Sequence, residues 1–231
     1  MTPAPMVFQC EHGSAEWLRA RCGIVTASRC GDMMAVTKKG TEAAARRNYR
    51  AELISEILTS RNTPHYVTRE MEWGIEHEQF ARAAYEVQAD VMVETAGFVL
   101  HSTIDRFGAS PDGLVGSEGL IQIKCPNTAN HLEWLLGGVI PEEHAPQMLA
   151  ELACTGRVWN DFVSFDPRVP PHLQLFVQRM YRDNRLVKKL EEAVMQFTAE
   201  IDEQIAKLPP RPGPQLVVSI LDAPRKDDPE F

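Results

Sequence analysis

Ser110-Pro111-Asp112-Gly113-Leu114, followed by Leu120-Ile121-Gln122-Ile123-Lys124-Cys125-Pro126, joins a turn that carries one carboxylate to a short apolar strand that carries an amide and a lysine. Asp112 precedes Gln122 by ten positions, and Lys124 follows it by two. Residues two apart on a strand point to the same face. Gln122 and Lys124 therefore project together, and Asp112 can reach the same space from the neighbouring turn. An acidic side chain at 122 would complete an oxygen seat for a divalent cation beside a lysine. The chain has glutamine there, and that departure matters as much as the match.

Short strands are expected around this stretch at 91–93, 97–100, 107–109 and 120–123, joined by turns. A helix over 127–136 is closed by Gly137-Gly138, and Pro146 suits the first turn of a helix running to Thr155. Strands over 158–165 and 172–177 flank the Asp166-Pro167 turn. A long helix over 183–207 carries Leu186, Leu190, Val194, Phe197, Ile201 and Ile205 along one stripe. Upstream, a short helix or turn over 17–22 enters Ile24-Val25, and a second helix begins at Thr26 or Ser28, both good N-caps. After a loop at 37–40, Tyr49, Leu53, Ile54, Ile57 and Leu58 recur at helical spacing and place a helix over 41–58, which Asn62-Thr63-Pro64 breaks. A further helix over 70–88 brings Glu78, Ala81 and Tyr85 near one another. Strands flanked by helices imply one α/β domain over 1–207, built on a central mixed sheet. Six of the sixteen prolines lie after Lys207, so 208–231 is expected to be an extended tail.

The 231 residues carry a net charge of −8 with a pI near 5.4, and 44% of them are apolar. That is enough for a sizeable core. No apolar run approaches the roughly 18–20 residues that span a bilayer, and residues 1–10 lack the charged and apolar regions of a signal peptide. Five scattered cysteines without a C-x-x-C pair fit a reduced, cytoplasmic protein. The acidic balance excludes a general nucleic-acid coat but not a DNA enzyme, which needs positive charge only where phosphates lie. Basic residues cluster at Lys38-Lys39, at Arg46, Arg47 and Arg50, and over 179–189. Each cluster reads equally as a solvated face. The seven histidines show no zinc spacing, and there is no phosphate-binding glycine loop.

Magnesium prefers oxygen ligands and commonly takes one or two carboxylates plus substrate phosphates. Asp112, a carboxylate at 122 and the Ile123 carbonyl would make such a seat, with Lys124 orienting an attacking water. Such a site hydrolyses phosphodiesters, and two ions can serve the attacking and leaving oxygens. Pro-Asp-Gly is also a common turn, and Gln-x-Lys is unremarkable on a strand, so the residues alone leave both readings open.

Further blocks decide between them. Trp17-Leu18-Arg19-Ala20-Arg21-Cys22-Gly23-Ile24-Val25-Thr26-Ala27-Ser28 is similar to the N-terminal motif of the phage lambda exonuclease family, within the PD-(D/E)xK nuclease superfamily. Trp73-Gly74-Ile75-Glu76-His77-Glu78 resembles its second block. Ser110-Pro111-Asp112-Gly113-Leu114 and Lys124-Cys125-Pro126 resemble the third and fourth, and Leu136-Gly137-Gly138 and Gln147 follow at the family's spacing. The resemblance spans about 17–165.

It implies a restriction-endonuclease-like core and a role for each matched position. Asp112 resembles a direct metal ligand, Gln122 stands at the place of the other, Ile123 lends its carbonyl, and Glu78 is the helix-borne carboxylate near a second metal. Lys124 resembles the catalytic lysine, and Gln147 an active-site polar residue. Arg21, Ser28 and Ser110, with Thr26 as a weaker member, resemble a pocket for a DNA 5′-phosphate, where a guanidinium forks onto phosphate oxygens. The resemblance further implies Mg²⁺, two ions with Mn²⁺ as a substitute, and 5′→3′ digestion of double-stranded DNA ends to 5′-mononucleotides. A ring-shaped homotrimer and a single-strand annealing partner are implied as well. Gln122 removes one charge from the metal seat, so the chain reads as an inactive Glu-to-Gln variant. The alternative is a non-catalytic DNA-end-binding protein. An endonuclease of the same superfamily would have no use for the 5′-phosphate pocket.

Overall fold

The computed structural model describes residues 4–64 and 67–209. The proposed tail therefore lies almost wholly outside the described residues. The strand of the decisive stretch is β7 (Gly119–Lys124), and it lies at the centre of a five-stranded sheet. On one side it pairs antiparallel with β6 (Gly113–Val115), which pairs in turn with β3 (Val93–Glu94). On the other it pairs parallel with β8 (Trp159–Phe165), whose outer neighbour is the antiparallel β9 (Leu175–Tyr181). A second, four-stranded sheet runs β1 (Met6–Phe8), β4 (Phe98–Leu100), β5 (Phe107–Ala109), β2 (Val25–Thr26). The single α/β domain with mixed sheets is as expected. The strands form two such sheets, the five-stranded one central to the decisive stretch, and each contains one parallel pair.

Seven α-helices flank the sheets among the described residues: α1 (Ala15–Arg21), α2 (Cys30–Met34), α3 (Ala44–Thr59), α4 (Arg69–Ala89), α5 (Thr128–Gly137), α6 (Ala145–Thr155) and α7 (Asn184–Ala206). Ser14, Thr68, Asn127 and Asp183 cap α1, α4, α5 and α7 through their side chains. Helix α3 stops at Ser60, which takes the left-handed conformation, two residues before the expected break. Along α7, Val187, Leu190, Val194, Phe197 and Ile201 are buried, while Leu186 is exposed. At 100° per residue Val187 lies nearer the centre of that stripe than Leu186 does. This face joins Val25, Tyr49, Leu53 and Phe107 in the larger core.

A smaller core forms where α4 packs on the five-stranded sheet, with Ala81 and Tyr85 against Ile121, Ile123, Val163 and Phe165. Tyr85 donates to Asp161 at 2.7 Å, and Arg179 forks onto the same carboxylate at 2.7 and 2.8 Å. Arg179 is thus occupied inside the fold. So are Arg46 and Arg50, which both clamp Glu42 and Glu200. Two of the three basic clusters read from the sequence are partly consumed by structural ion pairs.

Candidate active site

The ladder between β6 and β7 reaches Gly113 opposite Ile121 and goes no further. Beyond it, the Asp112 carboxylate replaces a strand carbonyl and accepts the Ile123 N–H at 2.6 Å. Asp112 therefore opens a strand, and the turn sits after it, at 116–118. The same Asp112 oxygen also accepts from the Gln122 amide nitrogen. Gln122 accepts in turn from Gln147 Nε2 at 2.6 Å, and Lys124 Nζ donates to Gln147 Oε1 at 3.3 Å. Gln147 Nε2 further donates to Glu151 at 3.0 Å, and Asn160 Nδ2 holds the other Glu151 oxygen at 2.7 Å. Glu78 stands on α4, where Arg82 bonds it at 3.1 Å and reaches the Asp112 carbonyl at 2.7 Å.

Burial raises the Asp112 carboxyl to about 7; the Lys124 charge opposes this and Glu78 adds to it. Burial likewise raises Glu151 to about 8, helped by Asp112. His144, on the same cleft and stacked on Phe162 at 5.3 Å, is lowered to about 4 by burial and by Lys124.

Further along the cleft wall lies a cationic corner. Trp17 Nε1 donates to Ser110 Oγ at 2.8 Å, which leaves the Ser110 proton free to donate elsewhere. The Arg21 guanidinium lies 3.9 Å from the centroid of the Trp17 ring. Among the described residues no carboxylate pairs with Arg21, and burial lowers it to about 10, still a cation at neutral pH. The loop behind it is fastened by Glu56, which accepts from Gly23 and Thr63, each at 2.8 Å. Gly23 has φ +71°, and a Cβ there would stand 2.8 Å from Ile57, so glycine is required.

One cleft of about 530 Å³ unites both parts. Arg21, Ser28 and Ser110 line it together with Glu78, Asp112, Gln122, Ile123, Lys124 and Gln147. Thr26 is buried and off that wall; its hydroxyl meets that of Ser28 at 3.4 Å. The oxygen donors of Asp112, Glu78, Gln122 and the strand suit a hard divalent cation. They supply two carboxylates where glutamate at 122 would supply three. Gln122 places an amide hydrogen against Asp112, where two carboxylate oxygens would need a cation or proton between them. The donor set thus fits a divalent metal with one charge fewer.

The sequence over 16–158 matches the model of the YqaJ-like viral recombinase domain. The chain belongs to that family. An alkaline exonuclease (LHK-Exo) from Laribacter hongkongensis has the same fold, with 46% identity and a TM-score of 0.78 over 84% of this chain and 95% of that one. Its structure in complex with dAMP matches at 45% identity, with the same TM-score and coverage. A phage related exonuclease from Haemophilus somnus 129PT, 17% identical, shares the fold at a TM-score of 0.62 over 79% of this chain and 95% of that one. No curated protein matches the chain.

Within this YqaJ-like domain, the positions singled out in the sequence converge, Thr26 excepted. Sequence reasoning missed Glu151 and Arg82. Both stand four residues after a recognised position, Gln147 and Glu78, and i,i+4 neighbours share a helix face. His12, tilted against Trp17 with ring centroids 4.3 Å apart and also lining the cleft, had no such signal.

Proposed function

We propose that the chain is built as a 5′→3′ exonuclease on double-stranded DNA ends, and that with Gln122 it holds an end but cleaves it poorly. Activity of this scaffold would release 5′-mononucleotides and leave a 3′ single strand for recombination by strand annealing. The observation that carries the reading is the single cleft joining the unpaired Arg21 corner to Asp112, Gln122 and Lys124. Arg21 and the Ser28 and Ser110 hydroxyls would hold a terminal phosphate by charge-assisted hydrogen bonds. Lys124, held by Gln147, would orient the attacking water and stabilise charge at the phosphate. Asp112, Glu78, Gln122 and the Ile123 carbonyl would hold Mg²⁺, as two ions, with Mn²⁺ able to substitute. Bound there, the metal supplies Lewis-acid polarisation and a water acidic enough to attack. The complex of the Laribacter exonuclease with dAMP accords with a mononucleotide product.

A homotrimeric ring, an annealing partner and action in the cytoplasm belong to the same proposal. Phe80 and Val87, exposed on α4, offer apolar surface for a contact between copies. The bond from Gln122 to Asp112 favours a second reading, a DNA-end binder without catalysis. The test is Gln122→Glu beside the unaltered chain, on linear and circular duplex with Mg²⁺. A gain on the order of a thousandfold or more on linear DNA alone is expected, because the restored ligand acts on the chemical step. Equal cleavage by the glutamine chain removes position 122 from the metal seat. End binding by both without cleavage by either leaves the second reading.

A further inference from the structure

We infer that Glu151 is a positioning residue of this site: it sets which way round the Gln147 amide lies and, through that amide, where the Lys124 ammonium is held. The inference rests on the nuclease reading above and goes one residue deeper. Glu151 is wholly buried. A carboxylate is not placed there for packing, because a buried acid is costly unless its oxygens are bonded. Both are: Oε1 accepts from Gln147 and Oε2 from Asn160.

Gln147 has one donating and one accepting end. Its NH₂ serves Glu151 and Gln122 at 3.0 and 2.6 Å, and its oxygen receives Lys124 at 3.3 Å. Turned over, the amide would set NH₂ against the Lys124 ammonium, donor against donor. It would also present an oxygen to the Glu151 oxygen. Glu151 therefore selects the orientation in which Lys124 finds an acceptor, both as a carboxylate and as a neutral acid whose proton sits on Oε2, where the Asn160 amide can turn to accept it while Oε1 still faces Gln147. The spacing supports the role, since 147 and 151 lie one turn apart on α6, the first reaching Gln122 on β7 and the second Asn160 on β8. Asn160, on the parallel neighbour β8, fixes Glu151 from behind, and its own Oδ1 has no partner among the described residues. That oxygen has a consequence for substitution. With glutamine at 151, the Asn160 amide can turn, giving up its long 3.4 Å bond to the Met148 carbonyl, and accept from the new NH₂, so the oxygen facing Gln147 is kept. Leucine fills the space and offers no acceptor.

The experiment compares Glu151→Leu and Glu151→Gln in the Gln122→Glu chain. Glu151→Leu should lower kcat about tenfold while KM for linear duplex stays within about twofold, since Lys124 acts on chemistry and not on end binding. Glu151→Gln should recover most of that rate. Unchanged kcat in Glu151→Leu, or an equal fall in both variants, would overturn the inference. So would kcat, KM and thermal midpoint falling together, which marks a packing role. A second measurement needs no cleavage and no substitution that threatens folding. In the unaltered chain, the Gln147 side-chain amide protons should exchange with water far more slowly than those of a free glutamine. Free exchange there would overturn the inference as well. If the Gln122→Glu chain does not cleave, the nuclease reading fails, and the amide measurement, repeated in Glu151→Leu where exchange should quicken, still decides the role of Glu151.

Discussion

Ile121 is 0% exposed and Gln122 2% exposed, one residue apart on β7, so depth does not distinguish the strand's two faces. Chemistry does. The Ile121 and Ile123 face meets Ala81 and Tyr85 of α4 and forms an apolar core. The Gln122 face meets Gln147 and Glu151 of α6 and forms a chain of hydrogen bonds ending at Lys124 and Asp112. An apolar face is stabilised by area and tolerates exchange of one hydrophobe for another of similar volume. A buried polar chain is stable only when every donor finds its acceptor. One face therefore fixes where β7 lies, and the other fixes what its side chains can do.

The difference can be broken from the apolar side first. Ile121→Ala should cost about 2–5 kcal/mol in urea unfolding, with the affinity of the folded molecules for DNA ends unchanged. A parallel loss of end affinity would mean that the faces are not separable. From the polar side, Arg21→Ala should weaken binding of 5′-phosphorylated ends by about 1.5–3 kcal/mol and leave 5′-hydroxyl ends nearly unaffected, with the unfolding midpoint little changed. Equal weakening of both ends, measured by competition on short duplexes, would remove Arg21 from phosphate recognition.

Titration sharpens the contrast, because the two carboxyls that burial raises, Asp112 and Glu151, both belong to the polar face. Asp112, raised to about 7, and Glu151, raised to about 8, keep protons in the folded chain that an unfolded carboxylic acid releases near pH 4. The folded carboxyls bind more protons across that window, so in metal-free buffer these two groups make stability fall as pH rises from about 4 to about 8, while His144, lowered to about 4, opposes them below its ordinary value. Asp112→Asn should flatten the part of that slope below pH 7, by on the order of 1–2 kcal/mol over the window. An unchanged slope would place the titration elsewhere. The smallest effect is expected far from β7. Lys38 and Lys39 lie exposed in the 37–40 loop. Neutralising both should reduce the slope of log affinity against log salt by about 0.9 for every DNA phosphate that the pair engages. No change would return the pair to a solvated loop.

Much of this was legible in the sequence for local reasons. The α6 start at Pro146, the Gly138 stop of α5 and the α4 face joining Ala81 to Tyr85 follow from caps and periodicity. The i, i+2 spacing set Gln122 and Lys124 on one face. Three-residue strands carry too little pattern, which is why β1 and β6 escape a reading by periodicity and the turn is expected at Asp112 itself. Within the basic run at 179–189, the first member faces Asp161, eighteen positions away on the next strand, a pairing that no local pattern announces.

By itself, the sequence named the candidates: Asp112, Lys124, Glu78 and the Arg21 corner, and the amide at 122 in place of a carboxylate. Chain connectivity sets those identities and the local directions of their side chains. The tertiary structure decided how they are coupled. Only when α6 docks on the Gln122 face of β7 do Glu151 and Asn160, from a helix and from the next strand, come behind Gln147 and orient it. Only the meeting of α1 with Ser110 brings Arg21 onto the same cleft. The physical reason is range. Helical and strand periodicity relate residues a few positions apart, whereas a buried hydrogen bond depends on which surfaces the packed core brings together.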